Sequence, residues 1–374
     1  MIYMDNAATT KIKDSVLREM MPYFTDFYGN ASSIYSLGQK SRAAIENSRI
    51  KIANILNVAP SEIYFTSSGS EADNWAIKET LKEGEINHII SSKIEHPAVL
   101  NSLKYLEKKG HKIDLLDVDR YGFVDLDELR EKIDDKTNLV SIMSANNEIG
   151  TIEPIEEIAE ICKEHGVLFH TDAVQAFGNI DIDLSNKNID MWSMSGHKIG
   201  APKGVGILYI KDGTKINSFI NGGSQERDMR ASTENVAYIV GLAKAVEDAY
   251  NNLEKNTEYT ENLRNYMLEK LLKIDKVLLN GPRDKRLPGN INISIENLKP
   301  QTLVQYLDMF DICVSQGSAC AAGSIEPSYV LSAIGRDKDL SLSTIRISLN
   351  SDNTKEECDF VVDKLKDGIK KFSY

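Results

Sequence analysis

Short apolar runs alternate with longer segments in which apolar side chains recur every three or four residues, from about residue 60 to 210. The short runs predict buried strands, and the periodic segments predict helices that place one face on a core. The predicted strands are EIYFT, HII, LVSIMSA, VLFHTDA, DMWSMSG and GVGILYI, and the helices between them are EADNWAIKETLKEG, PAVLNSLKYLEKKG and PIEEIAEICKEHG. This alternation predicts an α/β fold with a mostly parallel sheet and helices on its faces.

The pattern changes after a long helical stretch at about 235–275. NINISI alternates apolar and polar residues like a half-exposed strand, ICVS and STIRISL predict further strands, and PQTLVQYLDMF and TKEECDFVVDKLKDGIKKF predict helices. We therefore expect a large domain over residues 14–255 and a smaller α+β domain formed by 1–13 and 256–374. No proline-rich linker separates them, so we expect the two to pack tightly.

Composition narrows the class of protein. The chain has 374 residues, of which 41% are hydrophobic and 27% charged, so it can bury a full core. No run approaches the ~18 apolar residues of a membrane span, and the first ten residues do not resemble a signal peptide. We therefore expect a cytoplasmic protein without a membrane partner. Its formal charge of −12 argues against nucleic-acid binding.

The cysteines fall into two groups. Cys162 and Cys358 lie on apolar helical faces and Cys313 lies in the apolar run DICVS, so all three are predicted to be small core residues. Cys320 lies in SQGSACAAGS, whose small residues cannot bury it, and this composition predicts a mobile loop. A thiol in such a loop is either a nucleophile that can move or a surface cysteine without a role.

A serine–glycine loop joins the strand EIYFT to the helix after it. Ser67, Ser68, Gly69 and Ser70 occupy this turn, where the free N–H groups of a helix start can bind phosphate. A simple helix cap is the alternative interpretation. GAPKGVG also contains glycines and a lysine, but it lacks the terminal Gly-Lys-Ser/Thr of a nucleotide-binding P-loop.

Polar residues follow several of the predicted parallel strands, at the edge where such sheets bind ligands. His96 follows HII, His170 and Asp172 end VLFHTDA with Gln175 three residues later, and Lys198 follows DMWSMSG. A carboxylate at the end of a buried strand needs a positive partner, and a partly desolvated lysine is a nucleophile toward carbonyls. With the serine–glycine turn, this set matches the needs of pyridoxal phosphate (PLP).

Motifs along nearly the whole chain resemble those of cysteine desulfurases of the NifS/IscS type, in the class V branch of fold-type I PLP enzymes. They are YMDNAATT, FYGNASS, FTSSGSEADNWAIK, EHPAV, NNEIG, HTDAVQ, SGHKIGAPKGVG and GSACAAGSIEPSYVL. The lysine motif of the IscS branch commonly reads SGHKIYGPKG, whereas Gly200 and Ala201 follow Ile199 here, and Ser70 stands where threonine is frequent. These departures blur the assignment to a subfamily but leave the chemistry in place.

The resemblance implies a role for each cofactor contact. Lys198 would hold PLP as a Schiff base and move the Cα proton, while His96 would stack on the ring and assist. Asp172 would pair with the ring nitrogen and Gln175 would bond the phenolic oxygen. The remaining contacts, chiefly to the phosphate, would come from Gly69, Ser70, Asn147, Ser195, His197 and, from the neighbouring subunit of a homodimer, Thr233.

The resemblance also implies the reaction, which converts L-cysteine to L-alanine. Asn30, Asn147 and Arg346 would hold the substrate, and Cys320 would accept its sulfur as a persulfide. A long cysteine loop favours direct transfer to acceptor proteins, such as an iron–sulfur scaffold or a tRNA-thiolation enzyme. No resident metal is expected, with Cys320 at most a transient cluster ligand. The rivals are a selenocysteine lyase, another class V PLP enzyme, and an inactive scaffold.

Overall fold

The computed structural model describes residues 1–182, 184, 188–298, 302–316 and 326–373. The strands in these ranges are β1 (Ile2–Tyr3), β2 (Ile63–Thr66), β3 (His88–Ser92), β4 (Lys112–Leu116), β5 (Thr137–Ser141), β6 (Leu168–Asp172), β7 (Met191–Ser195), β8 (Gly206–Ile210), β9 (Val277–Leu279), β10 (Asn290–Ile295), β11 (Ile312–Cys313) and β12 (Thr344–Ser348).

The helices in the same ranges are α1 (Asp14–Met20), α2 (Pro22–Thr25), α3 (Ser36–Leu56), α4 (Gly69–Glu79), α5 (Pro97–Lys108), α6 (Leu126–Lys132), α7 (Ile155–His165), α8 (Val236–Asn251), α9 (Leu253–Leu271), α10 (Thr302–Asp308), α11 (Tyr329–Ala333), α12 (Lys338–Leu342) and α13 (Lys355–Phe372). Short 3-10 turns cover Pro60–Glu62 and Gly196–Lys198. The predicted helical stretch at 235–275 is therefore two helices, and α4 ends before the predicted Gly84.

A seven-stranded sheet with strand order β2-β8-β7-β6-β5-β3-β4 forms the centre of the molecule. The strands from β7 to β4 pair in parallel, while β8 runs antiparallel to both of its neighbours. Helical crossovers through α5, α6 and α7 join β3, β4, β5 and β6 and return the chain to the same end of the sheet each time, which gives parallel pairing. The predicted mostly parallel α/β sheet is confirmed.

Alternate residues of the main sheet pack against helices on its two opposite faces, as the pleat of a strand requires, and together these two layers form the first core of the molecule. On β3, Ile89 packs with α4 and α5, whereas Ile90 packs with the layer that contains α3, α7 and α8. On β7, Met191 and Trp192 divide in the same way. Helices therefore cover both faces, and burial on both sides explains why these strands read as continuous apolar runs.

A second core surrounds a three-stranded antiparallel sheet of order β12-β10-β9. Helices α9, α10 and α13 contribute apolar side chains to it, and so does Met4, because β1 pairs in parallel with β11. The N-terminal segment therefore packs in the second core, although it precedes in the chain the elements that form the first core. The domain boundaries at 13/14 and 255/256 stay a prediction.

The prediction of a half-exposed strand for NINISI was wrong, since every residue of β10 is buried. β10 is the central strand of its sheet, and its polar face packs against protein rather than water. Asn290 and Asn292 each donate through Nδ2 to the main-chain oxygen of Glu148, at 3.0 Å, and Ser294 bonds Thr344. The alternation therefore reflects a hydrogen-bonded inner face, not a solvent-facing one.

The described cysteines differ from the prediction at one position. Cys162 and Cys358 are buried as predicted, but Cys313 is only partly buried. It lies on β11, which pairs with β1 in a sheet of two strands and so lacks the cover of a central strand. Cys320 lies outside the described residues.

Among the described residues, no helix is both long and apolar enough to cross a membrane. Within the same ranges, no group of three or more His, Cys, Asp or Glu side chains has the geometry to hold a metal ion.

The buried position of β10 predicts the effect of shortening one of its side chains. Ile293→Ala removes three carbons from a fully buried site and should destabilise the fold by about 2–5 kcal/mol. The same substitution at Ile86, which is 65% exposed, should change stability by less than about 0.5 kcal/mol. Thermal and urea denaturation of both variants measure the difference; equal effects would contradict the buried assignment.

Candidate active site

A cavity of about 260 Å³ lies at the carboxyl ends of β6 and β7. Its volume falls just below the ~300–1,000 Å³ of pockets for drug-sized ligands, so it suits a small molecule. The lining contains ten of the residues to which the family resemblance gives a role in the site: Gly69, Ser70, His96, Asn147, Asp172, Gln175, Ser195, His197, Lys198 and Arg346. Two further predicted site residues, Asn30 and Thr233, do not line it, and both are exposed.

Lys198 ends the 3-10 turn that follows β7, and the N-terminal segment holds its amine. Nζ donates to the carbonyl oxygens of Ala7 at 2.6 Å and Ala8 at 2.9 Å. Gln175 also donates to the oxygen of Ala7, at 2.9 Å. The lysine amine is thus fixed at the cavity wall by backbone carbonyls, which neither neutralise its charge nor block it covalently.

Asp172 is the last residue of β6 and is 5% exposed. Its Oδ1 accepts a hydrogen bond from the backbone N–H of Val174 at 2.9 Å. Burial raises the pKa of Asp172, and His96 when protonated, the N–H of Val174 and the charge of Lys198 all oppose this shift without cancelling it. The carboxylate is therefore desolvated and its negative charge is only partly compensated. A further cation would supply the missing positive charge.

Two more carboxyl groups lie buried near Asp172, and neither was identified from the sequence. Burial and the nearby charge of Asp172 raise the pKa of Asp73 well above its usual range. Burial raises the pKa of Glu95 to about 8, although the Ser92 hydroxyl and the Met143 N–H bond its carboxyl group. Adjacent buried carboxyls do not all ionise together, and the raised pKa values of Asp73 and Glu95 mean that these two groups resist ionisation beside Asp172.

His170 lies beneath the cavity on β6 rather than in its lining. Its ring bonds Ser141 through Nδ1 at 2.8 Å and Ser193 through Nε2 at 2.9 Å. Full burial lowers the pKa of His170 to about 3, so the ring is neutral. Because this ring is neutral, the 3.7 Å separation between its Nε2 and Oδ1 of Asp73 is not an ion pair. His170 supports the strand and takes no direct part in the site.

His96 caps the start of α5 and faces the cavity. Its Nδ1 accepts from the backbone N–H of Ala98 at 3.2 Å, and Pro97 supplies the first helical residue. Burial lowers the pKa of His96, the charge of Asp172 opposes that shift, and Lys198 adds to it. A neutral imidazole at neutral pH is the form that can take part in proton transfer.

The start of α4 forms an anion cradle. The Ser68 hydroxyl caps the helix by accepting from the Glu71 N–H at 3.1 Å, and the first N–H groups have no acceptor within the helix. A Cβ added to Gly69 would come within 2.6 Å of a Val174 methyl group, so only glycine fits here. Burial followed by the charge of Lys198 lowers the pKa of His197 to about 4, so beside this cradle its ring is neutral.

Arg346 lies on β12, next to the second core, and its side chain lines the cavity. Its guanidinium is 1% exposed, donating to the main-chain oxygen of Asn147 at 3.0 Å and to Asp5 at 2.9 Å. Its Nε has no hydrogen-bond partner in the described part of the chain. A buried guanidinium with an open donor is suited to a carboxylate ligand.

Sequence reasoning identified most of the charged lining but missed its support. The carbonyls of Ala7 and Ala8 and the acid of Asp5 belong to YMDNAATT, which was noticed only as a motif. Asp73 and Glu95 gave no separate signal, because a polar residue within a helix or a loop is normally solvated. The observation that α4 and α5 both start at this edge could have drawn attention to them.

Comparison with known proteins agrees with this geometry. The sequence pattern of the family Aminotransferase class-V matches residues 2–361. A relative named Cysteine desulfurase IscS from Clostridium botulinum (strain Hall) is 50% identical and covers 99% of this chain and 94% of its own. A solved NifS-like protein superposes with a TM-score of 0.94 at 39% identity, covering 99% of this chain and 100% of its own.

A second solved structure is described as SspA in complex with cysteine. It has a TM-score of 0.84 and 37% identity, and covers 93% of this chain and 99% of its own. The fold and the sequence thus agree over nearly the full length. The chain belongs to the class V aminotransferase family and, within it, to the cysteine desulfurases of the NifS and IscS type.

Proposed function

We propose that this protein uses PLP to remove sulfur from L-cysteine, releases L-alanine, and holds the sulfur as a persulfide on Cys320. One observation carries the proposal. A single cavity contains a fixed lysine amine, a buried carboxylate short of positive charge, and a buried guanidinium with an open donor. The family membership and the cysteine complex of SspA support the same substrate.

The residues fit the cofactor on physical grounds. Asp172 would gain the missing positive charge from a protonated ring nitrogen, and the cradle at Gly69 and Ser70 would bind the phosphate through backbone N–H groups. Lys198 is placed to bond an aldehyde carbon. When bound, PLP supplies an electron sink that weakens the bonds at Cα and Cβ of an amino acid attached to it.

The protein side chains then divide the work. Arg346 binds and orients the substrate carboxylate, and Asn147 lies beside it on the cavity wall. Lys198 takes the proton from the substrate Cα and returns it to the product, while neutral His96 assists the transfer. Asp172 keeps the proton on the ring nitrogen. Burial of Arg346 and Asp172 excludes water, which strengthens each of these interactions.

Both flanks of the segment that contains Cys320 contact residues at the cavity. Before it, Ser315 exchanges two backbone hydrogen bonds with Arg346, at 2.8 and 3.1 Å. After it, the Tyr329 hydroxyl donates to the main-chain oxygen of Glu95 at 2.6 Å. Cys320 is five residues from Ser315, so the chain reaches at most ~17 Å between them. That span allows Cys320 to enter the cavity.

The sulfur transfer follows from thiolate chemistry. The Cys320 thiolate attacks the substrate sulfur, an S–S bond forms, and the electron pair of the broken C–S bond passes to the carbon that becomes the alanine methyl group. An acceptor thiolate then attacks the outer sulfur of the persulfide, which forms a new S–S bond and releases the Cys320 thiolate. For the acceptor we propose an iron–sulfur cluster scaffold or a tRNA-thiolation enzyme in the cytoplasm. A reducing compartment keeps such a thiol free.

A homodimer is supported by an exposed apolar surface. The segment 17–35 carries six large apolar side chains that are each at least 43% exposed: Leu17, Met21, Phe24, Tyr28, Ile34 and Tyr35. Ile34 is 90% exposed. Asn30 lies within this segment, and Thr233, which is also exposed, would reach the phosphate of the second copy. Extended apolar surfaces of this kind mark protein interfaces.

The central test combines a spectrum with a product assay. Purified protein supplied with PLP should be yellow, and L-cysteine should change the spectrum and yield alanine. Cys320→Ala should keep the spectral change, but its rate of alanine formation should fall by more than about a hundredfold, because the acceptor nucleophile is missing. Cys313→Ala, the matched control, should keep full turnover.

Full turnover in Cys320→Ala would contradict the persulfide step, and a colourless protein that does not take up PLP would contradict the whole proposal. Faster turnover of selenocysteine than of cysteine, independent of Cys320, would favour a selenocysteine lyase.

The lowered pKa of His96 predicts the pH dependence of activity. The neutral ring is lost as pH falls through its pKa, so kcat/KM should decline on the acid side with a midpoint below 6.5. The pH profile of His96→Gln should lack this acidic limb, and its kcat/KM at neutral pH should be about a hundredfold lower than that of the wild type. His165→Gln, at the end of α7, should keep the wild-type profile. An acidic limb that persists in His96→Gln would rule out this assignment.

The exposed segment predicts the effect of a charge at the interface. Ile34→Glu should convert the dimer to a monomer in analytical ultracentrifugation, because a carboxylate resists burial between two apolar surfaces. PLP affinity should fall with it, since the neighbouring Thr233 no longer reaches the site. Ile86→Glu, at another exposed isoleucine that lies outside the segment, should stay dimeric; a dimeric Ile34→Glu would place the interface elsewhere.

A further inference from the structure

Three consecutive residues without glycine have a left-handed backbone. The φ angles are 46° at Glu226, 58° at Arg227 and 65° at Asp228. This region is unfavourable for residues with a side chain, and such a run persists only where the surroundings hold it firmly. We call the segment 224–231 the brace, and its contacts explain how it is held.

The first anchor of the brace is a buried ion pair. The Glu226 carboxylate is 8% exposed and accepts from both Nη atoms of Arg49, at 2.8 and 2.9 Å. It also accepts from the backbone N–H of Phe65 at 2.9 Å, and Arg49 donates to the oxygen of Ile63 at 2.6 Å. The pair therefore satisfies backbone groups of β2, which is an edge strand of the main sheet.

Arg227 fastens the brace to the same strand. Its Nη2 donates to the main-chain oxygens of Ser61 and Ile63, both at 3.0 Å, and its guanidinium lies 4.1 Å from the ring centre of Tyr64. Since β2 runs directly into the phosphate cradle, the brace and the cradle share one rigid support.

The second anchor reaches the cradle itself. Arg230 donates to Glu71 through Nε at 2.7 Å and through Nη2 at 3.0 Å. Glu71 lies in the first turn of α4 and also accepts from the N–H of Ser67 at 2.9 Å. Burial opposes ionisation of Glu71, but the bonds from Arg230 and Ser67 outweigh it and lower the pKa. The ionised carboxylate thus ties the brace to the turn that precedes Gly69.

We propose that Arg230 and Glu71 are positioning residues for the cofactor phosphate. Glu71 shapes the turn at Ser67 so that the N–H groups of Gly69 and Ser70 converge. Arg230 offsets the negative charge of Glu71, which would otherwise repel a phosphate bound at the neighbouring residue Ser70. The inference rests on the proposed function, because it assumes that phosphate binds at this helix start. The brace also leads to Thr233, so the same anchors fix the phosphate contact offered to the neighbouring subunit.

The test compares PLP with pyridoxal, which has the same ring and aldehyde but no phosphate. Apoprotein of the wild type, Arg230→Gln, Arg230→Lys and Glu71→Gln is titrated with each compound. Arg230→Gln should weaken PLP binding about tenfold or more and leave pyridoxal binding within about twofold, because only the phosphate meets the uncompensated Glu71. Arg230→Lys keeps the charge without the two-pronged contact and should show a smaller loss.

The double variant Arg230→Gln/Glu71→Gln provides the decisive comparison. It should bind PLP more tightly than Arg230→Gln alone, because it removes the unpaired carboxylate together with its partner. Arg130→Gln, which breaks the exposed pair with Asp127, is the control and should leave both affinities unchanged.

Melting temperatures of the same apoproteins separate positioning from folding. A fall in melting temperature with equal losses for PLP and pyridoxal would make the pair merely structural and overturn the inference. Arg230 keeps 17% of its side chain exposed, so its variants should fold, and Arg230→Lys serves if Arg230→Gln does not. Wild-type apoprotein that binds neither compound would refute the proposed function, and the inference with it; wild-type binding with unchanged variants refutes the inference alone.

Discussion

The charge of Asp172 is the constraint around which the site is arranged. A carboxylate at the end of a strand buried on both faces has little access to water, so its ionised form depends on positive charge from nearby residues. Lys198 supplies part of that charge and the N–H of Val174 donates to the carboxylate, yet the pKa of Asp172 is still raised. The pKa values of Asp73 and Glu95 are raised as well, so these two buried carboxyl groups resist ionisation beside it. The negative charge of Asp172 is therefore only partly compensated, and a cationic ring bound in the site would complete the compensation.

The residues that would bind the cofactor and the substrate come from both cores. Arg346 comes from the three-stranded sheet, and Lys198 comes from the turn that follows β7 of the seven-stranded sheet. The N-terminal segment connects the two, because Asp5 pairs with Arg346 while Ala7 and Ala8 accept from Lys198. Through this short segment, the position of the group that binds substrate is linked to the position of the group that holds the cofactor. Parallel pairing of β1 with β11 brings the segment into place.

The sequence predicted those parts of the fold in which each residue's surroundings lie close in the chain. Strands buried on both faces read as apolar runs, and α5 and α7 show clear periodicity with Pro97 and Gly166 at their ends. Helix α3 was missed because its buried face contains Ser41, Ser48 and Arg49 beside its apolar residues. β10 was assigned the wrong exposure because its asparagines face Glu148, a partner distant in sequence.

The same limit applies to the site. Lys198 and Asp172 could be predicted because the ends of parallel strands converge, whichever side chains they carry. The anchors of the brace could not, since Arg49, Glu71 and Glu226 are ordinary charged residues until the fold brings them together. Their importance follows from burial, which turns an ion pair of small value at a surface into one whose loss leaves an uncompensated charge. Three left-handed residues then remain in place because β2 and α4 hold both ends of the segment, and the phosphate cradle gains a support that no local pattern could reveal.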